Sequence, residues 1–221
     1  IAIERAIDDV AIRLGKDPLD IRKLNLYTPG RDETPYGQRI EQHVLGPLID
    51  QLETTSNYRA RREAIRACGA EPAFLGYRGF PATICVSINE EVVHGIPGER
   101  VIQEGDLVSI DAGAKMDGFY ADAAITVIVG HVPPRVRRLV EVTRRALEQA
   151  TTLATPEHRL SDISHAVQHA VEKEGFSVVR DFVGHGIGRA IHEDPPIPNF
   201  GPPNRGPRLQ PGMVLAIEPM V

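Results

Sequence analysis

Residues 106–130, DLVSIDAGAKMDGFYADAAITVIVG, read as two β-strands joined by a tight hairpin. Both flanks are rich in β-branched residues with partial alternation, and Asp117-Gly118 at the centre is a strong two-residue turn signal. Folding the chain there sets Asp111 within one pair of Asp122 across the ladder, so both carboxylates share one face at cross-strand or diagonal distance. Two buried carboxylates that close repel unless a cation or a proton lies between them. A bound metal answers that repulsion; two solvated acids on an exposed sheet face avoid it, and the hairpin alone leaves both readings open.

Outward from the hairpin, ATICVSI (82–88) and VLAIEPMV (214–221) are further strand candidates. Between them, Val136 to Ala154 reads as a helix entered through Pro133-Pro134, and Leu160 to Glu174 as a helix ending before Gly175. Strands, then helices, then a strand describe an α+β fold, not the regular alternation of a doubly wound sheet. The proline-dense run PPIPNFGPPNRGP (195–207) reads as an ordered loop wrapping over a neighbouring element.

Ahead of Glu71 the texture is helical. Ala2, Ile3, Ala6, Ile7, Val10, Ala11 and Leu14 recur at helical spacing up to a stop at Gly15. Asp17-Pro18 opens a second helix carrying Leu19, Ile21 and Leu24, and the polar stretch TPGRDETPYGQ (28–38) ends that pattern. A third helix is expected from Arg39 to Leu52, and the basic segment SNYRARREAIRA (56–67) reads as a fourth.

The whole chain has 221 residues, 42% hydrophobic and 25% charged, which suits one large or two small globular domains and excludes a disordered or collagen-like chain. A net charge of -5 supplies no basic field for nucleic acid. Residues 1–66 hold 11 of the 25 Lys and Arg and 11 of the 30 Asp and Glu, but only one of the eight histidines, so acid and imidazole concentrate in the remainder. Cys68 and Cys85 allow at most one disulfide, which fits a reducing compartment. No apolar run approaches the roughly 20 residues that cross a bilayer, and IAIERAIDDV is no secretory leader, so a cytoplasmic protein without membrane contact is expected.

Four further residues carry chemistry. Gly184-His185-Gly186-Ile187-Gly188 sets an imidazole among glycines, where backbone approaches a ligand closely, and His192 follows beside Glu193 and Asp194. His94, in VVHGIPG, sits at the edge between a strand and a Gly-Pro turn. Glu218 is a lone acid in an apolar run and, if buried, must meet a cation or a proton. Three carboxylates and one imidazole suit a divalent ion such as Mn, Co, Fe or Zn, not a sulfur-dominated structural zinc site. His131, His158, His165 and His169 read as ordinary surface or core residues; His165 and His169 have chelating spacing on a helix, but on what reads as a plain amphipathic surface.

The motifs GYRGFPATICVSINEEVVHGIPG, SIDAGAKMDGFYADAAITV, FVGHGIGRAIHEDPPIPNFG and LQPGMVLAIEPM resemble, in order and spacing, those of type I methionine aminopeptidases of the M24 metallopeptidases. The resemblance covers residues 67–221. It implies the α+β pita-bread fold and a site holding two divalent metal ions (Co, Mn, Fe or Zn) with Asp111, Asp122, His185 and Glu218 as ligands. It further implies that His94 and His192 contact substrate and transition state, and that Tyr77, Phe80, Cys85 and Ile191 line a methionine pocket. The implied partners are nascent polypeptides with an N-terminal methionine, met at the ribosome, with no direct nucleic-acid binding.

Two departures from the family pattern stand out. The family's second bridging glutamate comes from a strand past the one holding Glu218, and the sequence ends at Val221; from this an incomplete fold with weakened metal affinity is expected, or a peptide-binding module with impaired catalysis. Residues 1–66, through IERAIDDVAIRLGKDPLDIRKLNLY and TPYGQ, resemble instead a small internal stretch of the molybdenum-binding subunit of xanthine dehydrogenases. That subunit's cofactor-contacting glycine and arginine runs do not occur here, so no molybdenum activity is implied, and a chimera joined near Arg66 to Gly69 is expected.

Overall fold

The computed structural model describes residues 7, 10, 11, 13–41, 43, 45–55, 57–98 and 100–221. The chain divides into two compact units, residues 1–69 and residues 70–221. Of the first expected helix, Ala2, Ile3 and Ala6 lie outside the described residues; Val10 and Ala11 are helical, and the Lys16 amide closes on the Ala11 carbonyl across Gly15 at φ +61°.

In the first unit, α1 (Pro18–Asn25) begins where Asp17-Pro18 requires it. The Asp17 carboxylate accepts from the Leu19 amide at 2.8 Å, a side-chain cap ahead of a proline that needs no amide partner. The third helix, expected from Arg39, is α2 (Leu45–Thr55) instead. Arg39 forms an extended bridge with Glu33, and the Ile40 amide donates to the Asp32 carbonyl at 2.7 Å, so the polar stretch holds its own turn past Gln38. The basic segment forms α3 (Tyr58–Ala67). Lys23 of α1 pairs with Asp50 and Glu53 of α2, and Arg59 of α3 with Asp20, which ties the three helices by charge.

The second unit is built on the hairpin. Strands β3 (Leu107–Met116) and β4 (Phe119–Ile128) pair antiparallel in unbroken register from Leu107 opposite Ile128 to Met116 opposite Phe119. Asp117 and Gly118 turn the chain at φ +51° and +80°, the two positive values that a two-residue hairpin of matching twist requires. Strands β1 (Glu71–Pro72) and β2 (Ile84–Ile88) share the other edge of β3. Helices α4 (Pro134–Thr152) and α5 (Leu160–Glu172) follow. Val142, Ala146 and Ala150, spaced by four, face Leu160, Ile163, Val167 and Val171 in the main core.

Three more strands make a second sheet, in the order β6 (Glu193–Ile197), β5 (Gly184–Gly186), β7 (Leu215–Ala216). The expected strand over 214–221 is therefore only two residues long. Pro219 offers no amide for a ladder, and the backbone beyond turns to place the Met220 carbonyl on the Val179 amide at 2.9 Å. Strands β5 and β6 were not foreseen: one is mostly glycine and the other contains Pro195-Pro196, the residue types least expected in a ladder. The proline-dense loop wraps the start of α5, where Leu160 donates to the Pro207 carbonyl and the Arg205 amide to Ser161 Oγ. No helix among the described residues is long and apolar enough to cross a membrane.

Candidate metal centre

The two sheets bring together residues that lie far apart in sequence. Asp111 stands opposite Ala124 in the β3–β4 ladder and Asp122 opposite Gly113, so the two aspartates are diagonal neighbours on one face. β5 delivers His185 opposite Ala216 of β7, and Glu218 lies two residues past that pair. One ligand atom each from Asp122, His185 and Glu218 lies within 4.8 Å of the others. The nearest approaches are His185 Nε2 to Glu218 Oε1 at 3.2 Å and to Asp122 Oδ2 at 3.8 Å. Asp111 adjoins the group from the Asp122 side, one diagonal step along the same sheet face.

Glycine makes this convergence possible. A Cβ at position 184 would sit 2.3 Å from the Ala216 carbonyl oxygen, and one at 186 would sit 2.3 Å from the Asp194 carbonyl oxygen. Both are approaches that only glycine permits, and they close β5 between its neighbours with His185 buried at 7% exposure.

The chemistry of the donors fits a cation. His185 Nδ1 lies 2.8 Å from the Gly186 carbonyl oxygen. A carbonyl only accepts, so Nδ1 carries the proton and Nε2 turns a lone pair toward the acids. Asp111 Oδ1 and Glu218 Oε1 are buried with no hydrogen-bond donor among the described residues. Burial first, then the charge of Asp122, pushes the Asp111 carboxyl up to about 7, with the charge of Glu218 adding to the effect. Burial and then Asp122 likewise push Glu218 up to about 7. Buried carboxyl oxygens and an imidazole lone pair converging with no hydrogen-bond donor from the described residues are what a divalent ion satisfies.

Beside this centre lies a second cluster. Ala73, Phe74, Cys85 and Ile191 are buried together, with Tyr77, Phe80 and Tyr120 packed against them. It contains Tyr77, Phe80, Cys85 and Ile191, drawn from a 3-10 turn, β2 and the loop after β5. Cys85 is opposite Asp111 in the ladder, so the apolar cluster and the acids share a wall. Burial, then the charges of Asp111 and Asp122, push the Cys85 thiol up to about 11, which keeps it neutral. His192 joins the two clusters: Tyr77 Oη is 3.0 Å from its Nδ1, and its ring centroid is 4.2 Å from that of His185. Burial, followed by the nearby His185 and Arg78, lowers the His192 imidazole from its ordinary range.

His94 stands outside the ligand group, exposed at φ +60°, with its ring edge-on to Phe182 at 5.6 Å. Phe74, Arg78 and Phe182 were assigned no role in the sequence reading; Arg78 and Phe182 lie inside quoted motifs and Phe74 two residues before one, which was the only signal to find them by.

A buried imidazole and clustered carboxylates on an α+β frame, beside an apolar cluster, make a candidate metal centre. Metallopeptidase family M24 matches residues 38–221, and the chain belongs to that family, whose members use divalent metal. It is 58% identical over 157 residues to methionine aminopeptidase 1 of Bacillus subtilis, covering 71% of this chain and 63% of that protein. It is 51% identical to the methionine aminopeptidase of Clostridium perfringens over 186 residues, 80% of this chain and 75% of that one. Among solved structures, the methionine aminopeptidase of Thermotoga maritima superposes with a TM-score of 0.69 at 53% identity, covering 72% of this chain and 64% of that chain. The chain thus spans somewhat under two thirds of the length of two of these relatives, and within that span has their pita-bread α+β fold.

Proposed function

We propose that this chain carries the catalytic chemistry of a methionine aminopeptidase, removing the initiator methionine from nascent polypeptides in the cytoplasm, where the ribosome presents them. The observation that carries the reading is the junction of the two clusters at His192, which sets an apolar cluster directly beside the convergent acids. The identity to methionine aminopeptidases supports the substrate class.

Asp111, Asp122, His185 and Glu218 hold two divalent ions, of Co, Mn, Fe or Zn type. When bound, the ions supply an acidified water and a Lewis-acid contact to the scissile carbonyl. Around them the side chains bind and orient. Phe80, Cys85 and Ile191, with the Tyr77 ring, accept the methionine thioether in a pocket free of ionised groups. His192, kept neutral by burial and by the adjacent His185 and Arg78, donates a hydrogen bond to the carbonyl oxygen as that oxygen gains negative charge. His94 holds the peptide next to the cleaved bond. These roles place catalysis within residues 67–221. For residues 1–66 the xanthine dehydrogenase resemblance assigns no chemistry, and we assign them none.

The test is release of methionine from Met-Ala and Met-Gly peptides with Mn²⁺ or Co²⁺ supplied. Free methionine that vanishes on chelation supports the reading; no release with any of the four metals, from folded protein that binds them, overturns it.

A further inference from the structure

Helix α5 carries a pair of histidines that the metal centre does not use. His165 and His169 are one turn apart, their rings stacked with centroids 6.1 Å apart and planes 21° from parallel. His165 Nδ1 lies 3.3 Å from the Gly201 carbonyl oxygen. Since that oxygen only accepts, Nδ1 keeps the proton and Nε2 is left with its lone pair, the way second-shell carbonyls orient ligand histidines. The exposed ring of His169 has no hydrogen-bond partner among the described residues.

The surroundings hold this pair in place. Gln168 Oε1 accepts from the Gly201 amide at 3.0 Å, and Gln168 Nε2 donates to Glu172 Oε1 at 2.9 Å, so the loop at 200–202 is tied to the same helix turn. Between helix and loop lies an open cleft of about 420 Å³, which both histidines and Glu172 line. It has room for an ion with its waters and an acid nearby to balance the charge.

We propose that His165 and His169 chelate one divalent transition-metal ion, of the zinc, nickel or copper class, through their Nε2 atoms. Water fills the remaining positions, and Glu172 accepts hydrogen bonds from it. Two imidazoles spaced by four on a helix favour these ions over magnesium or calcium, which take oxygen donors.

The experiment compares the full chain with His169→Gln and His165→Gln, both of which leave the catalytic centre untouched. Zn²⁺ is titrated calorimetrically, and Cu²⁺ binding is followed by electron paramagnetic resonance. The site requires the ion count to fall by one in each variant, or the affinity of one class to fall at least tenfold, with loss of a copper signal split by two nitrogens. An unchanged ion count and affinity in both variants, or a copper spectrum with no two-nitrogen component in the parent chain, overturns it. His169→Gln changes an exposed side chain, so the comparison does not depend on a damaged fold.

Discussion

Tyr77 Oη and His192 Nδ1 are 3.0 Å apart, with the two rings only 22° from parallel and their centroids 5.5 Å apart. With the phenol donating, the imidazole proton sits on Nε2, the nitrogen that a substrate oxygen needs as a donor. Tyr77 then acts through His192, while its ring also walls the apolar cluster. Tyr77→Phe keeps the ring and removes only this bond. Taking a hydrogen bond as worth about 1 kcal/mol, methionine release is expected to slow about fivefold in kcat with KM nearly unchanged; an equal change confined to KM would assign Tyr77 to binding alone.

Asp111 and Glu218 predict how the metal-free protein responds to pH. Their folded-state values, about 7, lie above the ordinary values of 3.8 and 4.5. The folded chain therefore binds more protons than the unfolded one between those values, so this stability is present below about pH 4 and is lost as pH rises toward 7. In EDTA, the melting temperature of the second unit should fall between pH 5 and pH 7.5. With saturating Mn²⁺ the fall should shrink or reverse, because the ion replaces the protons. A metal-free melting temperature that rises across this window would contradict the burial of these acids.

The same balance separates stability from metal binding at Glu218. Glu218→Gln keeps the shape, removes one of the mutually repelling charges, and gives Asp122 a neighbour with an N–H. Above pH 7 the metal-free variant should melt about 2–4 °C higher than the parent, on the scale expected for roughly 1 kcal/mol in a domain of this size. Its affinity for Mn²⁺ should fall by at least about tenfold. Thermal melts with and without the ion read both effects. A variant that loses stability and metal together would place Glu218 in a structural pairing instead.

Legibility in the sequence followed locality. The Asp117-Gly118 turn, the helix start at Asp17-Pro18 and the entry to α4 through Pro133-Pro134 are each decided within a few residues, and each was readable. The aspartate pair needed only the hairpin register, and the ladder places it diagonally on one face. What was hidden depends on distant partners. GHG forms a strand because β6 and β7 close on both sides of it, and α2 starts six residues late because Arg39 is held by Glu33. The bond from Tyr77 to His192 spans 115 positions and leaves no local trace.

Gly186 gives the sharpest stability prediction, because its requirement is steric and not conformational. Its φ is not in the left-handed region, so an alanine there meets no backbone penalty of its own. The added methyl would instead lie 2.3 Å from the Asp194 carbonyl oxygen and 2.8 Å from its carbon, both backbone atoms that no rotamer change can move. β6 must shift to admit it, and that shift pulls on the β5 backbone that positions His185. Gly186→Ala should therefore cost roughly 1–3 kcal/mol and weaken metal affinity, although it touches no ligand. Gly46→Ala, in the first turn of α2 with open space at its Cβ, is the control and should be neutral or slightly stabilising. Chemical denaturation of the two variants, with metal titration of Gly186→Ala, decides the matter: equal midpoints would mean that β5 and β6 are not packed this closely.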